Sequence, residues 1–224
     1  MSYPRSSPRL LKGGIVIVDV ATSSVTRVIS LQYNPDTLNR TLQLQAAGAE
    51  EKDRSEALRL KGPAVETIKL EAEIDATDQL ADPTSNPDAV QYGIHPQLAV
   101  LEALAHPSST DLLANSALED MGSLEIIPME SALTLFAWSR SRIAPVRLTE
   151  LGITEEAFDI NLNPIRAKVS LGMRVLTVDD LGYQHPGGVL FMNYLIQKEQ
   201  LAARSPSPTL ASLGMSANLF GGGS

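Results

Sequence analysis

The chain has 224 residues, 43% of them hydrophobic and 20% charged, which suits a folded globular protein of one large or two small domains. Eighteen basic against 26 acidic side chains give a net charge of −8, which argues against general nucleic-acid binding, and aromatics at 4% are scarce for a carbohydrate-stacking surface. The absence of cysteine excludes disulfides, thiolate zinc sites, iron–sulfur clusters and a cysteine nucleophile.

The first nine residues are polar and broken by Pro4 and Pro8, and read as a flexible start over 1–9. The apolar run Ile15-Val-Ile-Val18 follows Gly13-Gly14 and stops at Asp19. It suits a strand and is far shorter than the apolar core of roughly 7–15 residues that a signal peptide needs, or the roughly 20 of a spanning helix. Synthesis and assembly in the cytoplasm, with release by lysis if the protein leaves the cell, are therefore expected. Weak period-two alternation follows over Val25–Tyr33 and Leu38–Leu44, with Asn34-Pro35-Asp36 as the turn between them. The charged stretch Ala46–Ala57 is compatible with helix or loop.

After Gly62-Pro63 comes the clearest signal in the chain. Ile68, Leu70, Ala72, Ile74 and Ala76 alternate with Lys69, Glu71, Glu73 and Asp75, which gives a strand one apolar and one charged face. His95–Ala105 has Leu98, Leu101, Leu104 and Ala105 at helical spacing and ends at His106-Pro107. Ser131–Trp138 and Phe158–Leu162 alternate weakly; after Asn163-Pro164 the strong pattern returns over Arg166–Val175, where Ala167, Val169, Leu171, Met173 and Val175 oppose Arg166, Lys168, Ser170 and Arg174. Half-buried antiparallel strands explain these patterns, since buried parallel strands read as continuous apolar runs. Gly188–Arg204 carries Val189, Met192, Leu195, Ile196 and Leu201 at helical spacing, and the Ser/Pro-rich and Gly-rich residues 205–224 read as a loose tail. The fold class expected is mainly β (α+β).

Catalytic patterns are missing. His95, His106 and His185 are each followed by proline and lie far apart, so loop or cap roles suit them better than metal ligation. Asp75, Asp78, Asp82 and Asp88 lack the spacing that places oxygens round one Ca²⁺ and suit a solvated acidic loop. There is no Gly-x-Ser-x-Gly elbow and no Walker loop. Trp138 beside Arg140 and Arg142 fits either an anionic ligand or, by preference, a strand end with a buried tryptophan whose arginines meet acids of a neighbouring subunit. No cofactor, metal or catalytic residue is expected.

Several segments, in order, carry a resemblance. They are Val28-Ile-Ser-Leu-Gln-Tyr-Asn-Pro35, Leu60-Lys-Gly-Pro63 running into Thr67–Asp75, the short helix Pro96–Ala105, Phe136-Ala-Trp138, and Leu162-Asn-Pro-Ile-Arg-Ala-Lys-Val-Ser-Leu171. With these the chain resembles the tube-domain adaptors of contractile injection systems, phage-tail-like particles related to the antifeeding prophage and the Photorhabdus virulence cassette. The resemblance covers roughly residues 10–180.

The resemblance implies an antiparallel phage-tube-like β-barrel over 10–182 with a flanking helix; the helical spacing beyond it, where the chain departs from the family, adds a C-terminal amphipathic helix over 183–204. The resemblance further implies a non-catalytic subunit of a homo-oligomeric ring, a hexamer, between the inner tube and the spike or hub, touching baseplate wedge components and neither nucleic acid nor the membrane interior. Many relatives continue into a LysM module; the stretch after Asp180 is too short for one, so peptidoglycan anchoring is not expected. Interface residues are expected at Thr67, Lys69, Glu71 and Glu73 on the first strong strand and at Arg166, Lys168 and Arg174 on the second. Arg140 and Arg142 join them, and Phe191, Tyr194 and Lys198 on the C-terminal helix are expected to meet baseplate neighbours. The alternatives are a phage tail-tube or baseplate protein, or a β-rich ligand-binding module or hydrolase using Asp75, His95 or Arg140.

Overall fold

The computed structural model describes residues 12–22, 24–46, 59–120 and 132–213. Expectations for 1–9, for most of Ala46–Ala57 and for the end of the tail lie outside these residues.

Seven strands form one antiparallel sheet: β1 (Gly14–Asp19), β2 (Ser24–Ser30), β3 (Leu38–Gln43), β4 (Val65–Asp75), β5 (Leu133–Ser139), β6 (Arg142–Phe158) and β7 (Pro164–Val175), in the order β2-β1-β5-β6-β7-β4-β3. β4 and β7, the two strongly alternating segments, pair from Thr67↔Arg174 to Asp75↔Arg166. Their apolar side chains all point to one side, where Ile68, Ala167, Val169, Met173 and Val175 are fully buried. Among the described residues the expected barrel does not close: β2 and β3 end the sheet, and each is paired there on one side only. The link between them instead crosses to β4. Gln32 spans both backbone groups of Asp75, donating Nε2 to the carbonyl at 2.6 Å and accepting from the amide at Oε1 at 2.9 Å.

The helices of the described residues are α1 (Thr77–Leu80), α2 (Pro87–Tyr92), α3 (His95–Glu102), α4 (Ser109–Asp120), α5 (Val178–Leu181) and α6 (Pro186–Ala202). α3 drops Leu98 and Leu101 onto the sheet, beside Ile94. α6 begins two residues before the expected Gly188, because Pro186 suits the first turn and His185 caps it, accepting from the Gly187 amide at 3.0 Å. Gly188 sits where a Cβ would strike the carbonyl oxygen of Gly182, so α6 approaches the α5 terminus as closely as it does only with glycine there.

One expected strand is something else. Phe158–Leu162 contains only the last residue of β6; 159–162 is the turn into β7, with Leu162 at φ 64°. The apolar alternation of Phe158, Ile160 and Leu162 comes from a turn that shows all three to solvent.

Candidate functional site

The most tightly built polar cluster gathers round Glu66. It stands on β4 at the same parity as Ile68 and Leu70, so its carboxylate points to the core side and is 3% exposed. An isolated charge there would be prohibitive, and neighbouring donors compensate it. Arg40 on β3 donates from Nε to Oε1 at 2.7 Å, and Lys198 on α6 donates from Nζ to Oε2 at 2.7 Å. The Tyr194 hydroxyl donates to the same carboxylate at 3.0 Å and accepts from Arg40 Nη2 at 3.1 Å. Lys198 Nζ also lies 4.0 Å from the Tyr194 ring centroid, a cation–π contact.

Burial pushes the Glu66 carboxyl up, but the bonds and charges of Lys198 and Arg40 outweigh it and hold the group below the usual carboxylate range. Burial and then the Glu66 charge push the Tyr194 phenol up to about 12. The phenol therefore keeps its proton and serves as donor. Chemically this is a latch: one carboxylate ties α6 to β3 and β4.

The expected interface residues divide into three sets. Lys69, Glu71 and Glu73 stand on the outer face of β4, with Thr67 half-buried beside them. There Lys69 and Glu73 join a cross-strand ladder in which Lys69 meets Glu150 at 3.1 Å, Arg166 meets Glu156 at 3.3 Å and Glu73 at 3.9 Å, and Lys168 meets Glu156 at 3.1 Å. The hydrogen bond from Lys168, with the charges of Lys168 and Arg166, holds Glu156 below its ordinary range against the opposing desolvation. Arg174 is paired with Asp180 at 2.7 Å, while Arg140 is exposed at the β5–β6 turn and Arg142 is half-buried. Phe191 and Tyr194 are buried inside the fold, at 6% and 2% exposure, and Lys198 is committed to Glu66; these three serve the fold of the single chain.

β4 and β7 are each flanked by strands on both sides, so among the described residues the free backbone edges belong to β2 and β3. Trp138 is half-buried and stacks on Phe136 with centroids 5.8 Å apart, the strand-end arrangement. Asp75 is occupied locally, accepting from the Thr77 amide and hydroxyl, which lower its pKa. His95 and His106 are exposed and His185 is a cap; no group of three metal-ligating side chains occurs among the described residues. No helix among them is long and apolar enough to cross a membrane.

Two surface features escaped the sequence reading. The first is the β6–β7 turn, which presents Phe158, Ile160 and Leu162 at 49%, 99% and 77% exposure. The second is an apolar cleft of about 760 Å³ between β2 and α3, floored by Ala72, Leu101, Val169 and Leu171. No local pattern could reveal the cleft, whose walls come from segments far apart in sequence. The turn was signalled by Asp159-Ile-Asn-Leu-Asn163, where asparagine and aspartate favour turns.

No family model matches this chain, and no curated protein matches it in sequence. Among solved structures it is similar to a chain in the tail of an empty GTA particle of C6 symmetry. That match has 13% identity and a TM-score of 0.28, and covers 73% of this chain and 90% of the other. Superposition at that level does not establish a shared fold.

Proposed function

We propose that this chain is a non-catalytic structural subunit of a phage-tail-like contractile injection particle. In this reading copies form a ring, six to a ring, that joins the inner tube to the spike or hub within the baseplate. It is made and assembled in the cytoplasm and leaves the cell, if at all, by lysis.

The observation that carries the reading is the pair of free sheet edges. Unpaired edges invite association with another chain, and proteins that stay alone usually guard them with charge, proline or a covering segment. Here the β2 edge exposes Val25 and Val28, and the β3 edge exposes Leu42. Two different edges on one chain suit heterologous, head-to-tail contacts, which close into rings. Seven strands in strict antiparallel order make β2 and β3 run in the same direction. About a ring axis along the strands, β3 of one copy therefore meets β2 of the next as a parallel pair. The ordered sequence motifs support the adaptor position over that of the tube itself.

The test is imaging of purified particles from the producing cell. A ring of this chain is expected between tube and spike, and deletion of its gene should abolish sheathed particles. Intact but inactive particles after deletion would instead support an enzyme. Val25→Lys and Leu42→Lys, each on an exposed edge position, should prevent rings while leaving the thermal melt of the subunit unchanged.

A further inference from the structure

We propose that residues 1–11 of this chain fold back into the apolar cleft between β2 and α3, with Leu11 towards its floor, and so close the seam beside the β2 end of the sheet. The contact is internal to one chain and holds whether or not copies form a ring.

The cleft opens on the core side of the sheet. Ala72 of β4 with Val169 and Leu171 of β7 form its floor, and all three belong to the buried core. Ile29 and Leu31 wall it on the β2 side, and Val100 and Leu101 on the α3 side. Its volume of about 760 Å³ far exceeds the small voids of a packed interior. A barrel would close such a seam by pairing its end strands, whereas β2 and β3 stay apart among the described residues. The chain just past β2 is tied to β4 by the Gln32 side chain on the Asp75 backbone, and Gln32 itself lines the cleft.

Attachment selects the occupant. β1 and β2 pair from Asp19↔Ser24 to Gly14↔Ser30, and the ladder runs one residue further, where the Leu31 amide donates to the Gly13 carbonyl at 2.9 Å. The next residue back, Lys12, lines the cleft together with Gln32 and Tyr33. Residues 1–11 thus join the fold at the cleft wall. At about 3.8 Å per step, Leu10 and Leu11 lie within about 8 Å of the Lys12 Cα.

Parity and composition agree. Ile15 is 2% exposed on the core side, and a Cβ on Gly13 would meet Leu31 and the Trp138 ring. Leu11, two residues further back on the same course, shares that side. Tyr3, Leu10 and Leu11 supply apolar surface, and Pro4 and Pro8 favour the extended course that a groove accepts. Rim charges are balanced, Glu73 and Asp78 against Lys12 and Arg27, so attachment and apolarity decide and charge does not. A short tether presents its group at an effective concentration on the order of millimolar, which favours this segment over the same residues of a second copy.

The experiment uses the lack of native cysteine, so that one introduced thiol reports on one place. Val100→Cys sets it on the α3 wall of the cleft, and Ala89→Cys sets it at a buried position of α2 outside the cleft lining. Each is read in the full chain by its rate of reaction with a thiol reagent, with the parent segment and with Leu10→Asp/Leu11→Asp. In the Val100→Cys protein the parent segment should protect the thiol at every protein concentration, and the aspartate pair should speed its reaction at least tenfold. In the Ala89→Cys protein the same pair should leave the rate unchanged. Equal rates at position 100 with either segment overturn the contact. Protection that appears only as protein concentration rises puts a second copy in the cleft, and overturns it too. Acceleration at positions 100 and 89 alike is a general loosening of the fold, which also overturns the seating. Ring formation is decided separately by imaging of particles.

Discussion

Tyr194 on α6 donates its phenol proton to Glu66 on β4 across 128 positions of sequence, at 3.0 Å. The bond is the centre of a latch that Arg40 and Lys198 complete, and it fixes the last helix on a sheet whose strands were complete without it. Glu66→Gln keeps the shape but replaces charge-assisted bonds by neutral ones. Arg40 and Lys198 are partly exposed and can turn towards water, so the cost is moderate, about 2 kcal/mol. A fall in Tm of about 4–8 °C is expected for a chain of this size. Helix α6 should also become more susceptible to proteolysis, as a timed digest would show.

The same latch makes stability depend on pH at both ends. Glu66 has a folded pKa below its ordinary 4.5, so the unfolded chain binds its proton first as pH falls. Its contribution is present above about 4.5 and is lost as pH drops through the folded value. Tyr194 behaves oppositely: between 10 and about 12 the folded chain keeps a proton the unfolded chain has given up, so stability falls as pH rises through that window. Denaturant unfolding from pH 9 to about 12 should show a steeper alkaline loss for wild type than for Tyr194→Phe, by up to about 2–3 kcal/mol at the upper end. Parallel curves would place the phenol outside the latch.

Legibility in the sequence tracked local periodicity and ended where partners are distant. β4 and β7 announced themselves because one face of each meets the core and the other a charged ladder. β6, the longest strand, did not. Its register shifts between Leu148 and Glu150, so inward residues change from even positions, Val146 and Leu148, to odd ones, Leu151 and Ile153. A bulge of this kind erases period two over the strand as a whole. α4 (Ser109–Asp120) is a mostly polar helix that leaves Leu112, Leu113 and Leu118 exposed, so packing on the core does not mark it. Glu66 had a readable sign, its parity with Ile68 and Leu70, which put a carboxylate on the core face and called for cations. Which donors supply it depends on tertiary structure: by helical spacing alone Tyr194 and Lys198 read as surface residues of an amphipathic helix, and only the placement of Glu66 beneath them turns them inward.

The opposed faces of β7 give a paired test. Leu171 is 2% exposed and faces the core between β4 and β6, so Leu171→Lys buries a charge with no partner and should unfold the subunit. Lys168 stands 62% exposed on the outer face, where its bond to Glu156 is a surface pair of small worth. Lys168→Glu should leave the circular dichroism spectrum and the melt close to wild type. If the outer face of β7 meets a neighbour, sedimentation should show weakened assembly for this variant. A folded, fully assembling Leu171→Lys protein would reverse the assignment of faces.

Gly188 tests the docking of α6 by sterics in place of charge. A Cβ at this position would collide with the carbonyl of Gly182, the residue that ends α5 at φ 77°, and backbone cannot swing aside as a flexible side chain can. Gly188→Ala would ordinarily favour a helix by about 1 kcal/mol. Here the collision must displace the start of α6 and, through it, Phe191 and Tyr194, for an overpacking cost of about 1–3 kcal/mol. The expected net result is a lower Tm despite the better helix former. Gly187→Ala is a softer comparison, because its Cβ would meet side chains of Leu181 and Leu133 that can yield. A melt for Gly188→Ala at or above the wild-type temperature would mean that α6 does not need this close approach to hold its place.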